Sequence, residues 1–272
     1  MLWTASSGTG PPLVLCHGGP GGYDYLEPVA RLVDDLVTVH RFDQRGGGRS
    51  TKERPWTIAA LVSDMETLRS GFGHQRWIVG GHSWGAHLAL FYALAHPERV
   101  SGLILMGTTG VRWGWGSARR ANRLPRLTAG ERRELEQLER RNDDEARERV
   151  RELWWFTDFA RRENALHSAR FTDYPARADV QAALERDWQR ALDGIDVRLR
   201  GLNVPALVLH GEADPIGEDG PREMARLLPR ARFVALAGVG HVPWLEDAAA
   251  VRSSLRSFVS SARPGAGHEL QQ

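Results

Sequence analysis

The stretch Trp77-Ile78-Val79-Gly80-Gly81-His82-Ser83-Trp84-Gly85, followed by the Ala- and Leu-rich run 86–95, decides how this chain is read. Its first three residues predict a short buried strand, and the run after Gly85 predicts a helix because its apolar residues recur at helical spacing. Gly81, Ser83 and Gly85 fill the pattern G-x-S-x-G at the junction. A strand that turns at once into a helix forces its central residue into a strained backbone conformation, so the neighbouring side chains must be small. Such a nucleophile elbow lifts the Ser83 hydroxyl clear of the sheet. It also places the Trp84 N–H at a helix N-terminus, where it faces any developing negative charge.

On its own the pattern also fits a plain helix cap, so the surroundings matter. Upstream, the strand Leu13-Val14-Leu15-Cys16 runs into His17-Gly18-Gly19-Pro20-Gly21-Gly22. The glycines let the backbone bend sharply and leave the Gly19 N–H as a candidate second donor to an oxyanion. A helix is expected over 26–36 and a strand over 37–42. The polar loop from Asp43 to Ser50 is read as structural, with Asp43 and its arginines pairing to one another. A helix over 58–72 leads into the elbow strand, and another strand follows over 100–106. Strand and helix alternate throughout, which predicts a parallel sheet covered on both faces.

From 111 to about 200 no convincing strand occurs. Helices are expected instead: one opened by the capping pair Thr128 and Glu131, one over 145–156 and one over 180–192. Five of the ten tryptophans fall here, at Trp113, Trp115, Trp154, Trp155 and Trp188, and their concentration points to a pocket between this segment and the sheet. The α/β alternation then resumes with strands over 205–210 and 232–236 and a closing helix over 245–259. The expected organisation is an α/β core at 1–110 and 201–262 with a sheet of about seven strands, a helical cap at 111–200, and a disordered tail at 263–272.

Bulk properties narrow the field. Net charge is +2 over 272 residues, and the arginines of 111–200, 20 of them against 17 acids, are interleaved rather than clustered. That pattern predicts solvated helix faces and argues against a nucleic-acid partner. No apolar run reaches membrane-spanning length, so no membrane partner is expected and the location implied is cytoplasmic; no cofactor or metal is implied. Cys16, the single cysteine, excludes an internal disulfide and reads as a small core residue. Oligomeric state is left open.

Open α/β sheets place their sites at strand ends. Read there, three groups stand out in the order Ser83, Asp214, His241. His241 would take the Ser83 proton and return it to the leaving group, while Asp214 would fix the His241 tautomer and Gly19 and Trp84 would hold the oxyanion. His17 and His82 flank the site and are read as shaping it. Pocket candidates are His17, Gly18, His82, Trp154, Trp155, Trp188 and Glu185.

With these residues in view the chain resembles the α/β-hydrolase family, and within it the proline iminopeptidase group, over about 12–110 and 204–260. The matching elements are His17-Gly-Gly-Pro-Gly21, Asp43-Gln-Arg-Gly46 with Gly48-Arg49-Ser50, the Ser83-Trp84-Gly85 elbow, His96-Pro97-Glu98-Arg99-Val100 and Gly240-His241. The resemblance implies removal of an N-terminal proline from a short peptide through an acyl-enzyme. His82 departs from the glycine usual before the nucleophile, and Asp158, Glu185 and Asp187 are the acids considered for holding a substrate's amino group. An esterase, lactonase or thioesterase with an apolar acyl pocket is the alternative. A ligand sensor on a hydrolase scaffold is the third reading.

Overall fold

A computed structural model describes residues 1–262 apart from 142, 169, 172 and 175. The tail expected to be disordered lies outside the described residues. The first half runs β1 (Thr4–Ser7), β2 (Pro12–Cys16), α1 (Glu27–Ala30), β3 (Thr38–Phe42), α2 (Ile58–Gly71), β4 (Trp77–His82), α3 (Trp84–Ala95) and β5 (Val100–Met106). Among the described residues, the helices that follow are α4 (Trp115–Arg123), α5 (Ala129–Leu138), α6 (Asp144–Thr157), α7 (Arg162–His167), α8 (Ala178–Ala191) and α9 (Ile195–Arg200). The chain closes with β6 (Ala206–Gly211), α10 (Asp219–Leu227), β7 (Ala231–Leu236), α11 (Pro243–Glu246) and α12 (Ala248–Ser261).

The seven strands form one sheet in the order β1-β3-β2-β4-β5-β6-β7, with only β1 antiparallel to its neighbour. Parallel strands need both faces covered, and the period-2 alternation of side chains supplies an apolar set to each. Val14, Cys16, Val79, Leu103, Leu105 and Val208 join α2 and α3 in one buried cluster. Leu13, Leu15, Ile78, Ile104, Leu207 and Leu209 join Val251, Leu255 and Val259 of α12 in the other. Cys16 is fully buried with Sγ 3.9 Å from Met65 Sδ.

Because six strands run the same way, the loops after Cys16, His82, Gly211 and Leu236 emerge at one edge of the sheet. Cys16 pairs in register with Gly81, so the glycine loop and Ser83 are neighbours.

Ser6 and Ser7 belong to β1, and Ser6 Oγ lies 2.7 Å from His40 Nδ1 across the pair. Two local expectations are corrected. The helix expected over 26–36 is one turn, α1, continued by mixed turns such as Leu36 N–H to Val33 O and Asp34 N–H to Ala30 O. The closing helix is broken at Asp247, whose φ of −143° leaves the helical region so that its carboxylate accepts from Ala250 N–H at 2.9 Å and caps α12.

The segment between β5 and β6 is not uniform. Leu127, Leu135, Leu138, Ala146 and Leu153 make a small core of their own around α5 and α6. By contrast Val180, Leu184 and Trp188 of α8, with Ile195 and Leu199 of α9, are buried in the main cluster beside α2 and α3.

Candidate active site

At the turn from β4 to α3, Ser83 has φ 56° and ψ −121°, and it is the one described non-glycine residue with positive φ. The strain persists because the surroundings fix it: Ser83 N–H donates to Met106 O at 2.8 Å, continuing the sheet ladder. A Cβ on Gly81 would collide with the Gly85 carbonyl, and one on Gly85 with the carbonyl of Cys16. Both glycines are therefore set by close backbone approach.

Ser83 Oγ lies 3.1 Å from His241 Nε2. On the far side of the ring, His241 Nδ1–H donates to Asp214 Oδ2 at 2.7 Å, which leaves Nε2 as the acceptor for the serine hydroxyl. Asp214 is buried, and Ile216 N–H donates to its other oxygen at 2.9 Å. Burial alone would push this carboxyl up, but His241 beside it holds it at about 2, so it stays ionised.

Two further histidines frame the pair. His82 Nε2–H donates to the His241 carbonyl at 2.7 Å, and its Nδ1 accepts from Tyr25 OH at 2.7 Å. Tyr25 oxygen in turn accepts from Gly18 N–H at 2.9 Å. Burial, then the neighbouring His241, lowers His82 to about 3 and keeps it neutral. His17 is fully buried; its Nε2 accepts from Gln44 N–H at 3.1 Å, while Gln44 accepts from Trp84 Nε1–H at 2.8 Å. Gly18 N–H is thus spoken for. Gly19, at φ 62°, and Trp84, first residue of α3, carry N–H groups beside Ser83 that the fold does not use.

A cavity of about 430 Å³ opens at Ser83 and His241. Gly18, Gly19, His82, Trp154 and Trp155 line it, and His17 is buried beside Gly18 outside this lining. Trp188 and Glu185 do not. Trp188 is buried against Trp84 and His87, with ring centroids 5.1 and 4.5 Å away, and Glu185 accepts from Gln181 on the exposed side of α8. The reason is helical period: Val180, Leu184 and Trp188 form one stripe that faces the core, and Glu185 stands one step off it. Asp187 also lies away from the cavity, accepting from Ile58 N–H at 2.7 Å. Of the acids considered, Asp158 alone reaches the lining.

Several lining residues escape the sequence reading. Tyr25 and Phe171 stack with centroids 4.1 Å apart and planes 4° from parallel, forming one wall. Arg119 and Arg123, i and i+4 on α4, both reach Asp158 Oδ1, Arg119 Nη2 at 2.9 Å and Arg123 Nε at 3.1 Å. Burial would raise the Asp158 carboxyl, but the two guanidiniums overcome that and hold it well below the usual range. The i, i+4 arginines in a Trp-flanked helix are the signal that could have found them.

The segment over the site is bonded to it through backbone. His241 N–H donates to Asp158 O at 2.6 Å. Glu246 Oε2 accepts from Gly240 N–H at 2.6 Å, and Oε1 accepts from Ala160 N–H at 3.0 Å and Asn164 Nδ2–H at 2.9 Å. Among the described residues no cluster of His, Cys, Asp and Glu is arranged to hold a metal ion, and no helix is long and apolar enough to cross a membrane.

A mostly parallel seven-stranded sheet with a serine at a strand-to-helix turn, and an aspartate and a histidine after the last two strands, β6 and β7, defines a hydrolase of the open α/β kind. The chain belongs to the alpha/beta hydrolase fold family, which matches residues 11–248. A proline iminopeptidase of Neisseria meningitidis serogroup A is 42% identical over 114 residues, 39% of this chain and 36% of that protein. One from Xylella fastidiosa strain Temecula1 is 45% identical over 105 residues, 36% of this chain and 32% of that protein. The chain thus matches about a third of the length of these curated relatives. Among solved structures, the proline iminopeptidase-related protein of Thermus thermophilus is 27% identical with a TM-score of 0.74, over 96% of this chain and 94% of that one.

Proposed function

We propose that the protein is a serine hydrolase of small carboxylic acyl substrates, with Ser83 as nucleophile, His241 as general base and acid, and Asp214 as the group that orients the imidazole. The observation that carries this reading is the unbroken line from Ser83 Oγ through His241 to the ionised Asp214 at the floor of the cavity. As Ser83 Oγ attacks the acyl carbon, its proton passes to His241 Nε2, and the imidazolium is stabilised by Asp214. The Gly19 and Trp84 N–H groups receive the developing oxyanion, each worth about 3 to 4 kcal/mol in the transition state. His241 then protonates the leaving group, an acyl-enzyme remains on Ser83, and water activated by the same imidazole releases the acid.

Ester hydrolysis is the reaction favoured, because the two carboxylates that line the cavity, Asp158 and Glu148, are each already paired with two arginines and offer no spare negative charge to an ammonium group. Hydrolysis of an N-terminal prolyl peptide is the second reading, supported by the proline iminopeptidase relatives. Covalent labelling by a fluorophosphonate that is lost in Ser83→Ala tests the chemistry; a wild-type protein that resists the probe refutes it and revives the ligand-sensor reading. Turnover of a short-chain aryl ester beside a prolyl arylamide separates the two substrates, and amide turnover abolished by Ser83→Ala would establish the peptidase.

A further inference from the structure

Six charged side chains line the cavity: Arg119, Arg123, Arg151 and Arg170 against Asp158 and Glu148. Four positive against two negative leaves a surplus of two among the described residues. Each carboxylate already serves two guanidiniums. Glu148 takes Arg151 at 2.6 Å and Arg170 at 3.1 Å toward the mouth. Asp158 takes Arg119 and Arg123, whose side chains keep only 17% and 12% of their exposure. Within this inner pair Arg119 Nε is buried with no hydrogen-bond partner.

A guanidinium removed from water and only half satisfied is costly, and a second anion beside it lowers that cost. The planar fork suits a carboxylate, which can accept two parallel N–H bonds where a spherical ion accepts one. A substrate ammonium, by contrast, meets a repulsive surplus. We propose that the cavity takes an acyl substrate carrying a second group, a carboxylate, which seats on Arg119 and Arg123 while the scissile carbonyl lies at Ser83. This proposal rests on the serine hydrolase reading above and names its substrate class. The carboxylate belongs to the acyl part, as in a dicarboxylic acid monoester, or to the leaving group.

Two substrate pairs separate these sources: monoethyl adipate against ethyl hexanoate, and 4-acetoxybenzoate against phenyl acetate, each corrected for its own rate with hydroxide. In wild type, kcat/KM for the anionic member of one pair is expected to exceed that of its neutral partner at least tenfold, and the pair that responds identifies the side. Arg119→Met is expected to bring the ratio toward one, and Arg119→Lys, which keeps the charge without the fork, to leave it between the two. Neutral esters turned over as well as anionic ones in both pairs would overturn the proposal and leave the hydrolase reading standing. If no ester is cleaved and the fluorophosphonate fails, the hydrolase reading is the one lost. Titration calorimetry with adipate and 4-hydroxybenzoate then decides the anion site: binding weakened at least tenfold by Arg119→Met supports it, and absence of binding to wild type refutes it.

Discussion

Ser83 sits in a backbone conformation that a non-glycine residue adopts at a cost of about 1 to 3 kcal/mol, and its neighbours leave no room for relaxation. Gly85→Ala drives a methyl group into the Cys16 carbonyl, which is backbone of a central strand and cannot swing aside. Loss of about 3 kcal/mol or more is expected, measured as a fall in urea midpoint; an unchanged midpoint would show that the elbow is looser than described. At Asp214 the charge matters more than the shape. Asp214→Asn keeps the volume but offers His241 an amide that can donate, favouring the wrong tautomer, so kcat on any ester that wild type cleaves should fall by about 10⁴-fold while the fold survives. A residual rate within tenfold of wild type would remove Asp214 from the mechanism.

Between elements, α11 ties the loop that carries His241 to the α6–α7 connection through one carboxylate. Glu246→Gln removes one of the two acceptor oxygens that hold Gly240, Ala160 and Asn164. A buried donor left unmatched costs about 1 to 3 kcal/mol, and His241 loses a buttress. The expected signature is a lower kcat with little change in KM and faster amide exchange at Gly240 and Ala160; a change confined to KM would make Glu246 a substrate contact instead. Elements of the sheet are legible in the chain because each parallel strand is a short apolar run ending in a polar or glycine-rich loop, which also puts Ser83, Asp214 and His241 at strand ends. The helices over the cavity cannot be apportioned in the same way. An amphipathic helix in a segment with two possible partners has two apolar destinations, and Trp188 takes the core while Trp154 and Trp155 take the cavity. Its arginines read as solvated because most are, as in the exposed Arg120–Glu139 pair, and only the i, i+4 spacing of Arg119 and Arg123 marks those two as different. The break at Asp247 escapes for a simpler reason: an Asp inside an apolar period is a cap only if the preceding turn stops, and the apolar period runs on through it.

Taken whole, the molecule buries neutral histidines both at the cavity, as with His82, and away from it, as with His87 against Trp188. Burial holds His82 and His87 at about 3, against ~6.5 for the unfolded chain, so between those values the unfolded state binds protons that the native state refuses. Stability therefore falls as pH drops from about 6 toward 4, by about 1.4 kcal/mol per pH unit for each histidine and ~3 for both. Asp214, held at about 2, adds to the loss only lower, as pH falls from its unfolded value near 4. Urea midpoints across that range test the slope, and a flat profile between pH 6 and 4.5 would show that the two rings accept protons without unfolding. The bond from His241 N–H to Asp158 O carries one more consequence. Parting α6 from the loop after β7 would break this bond, so the segment over the cavity cannot lift there without also freeing the backbone that positions the His241 ring.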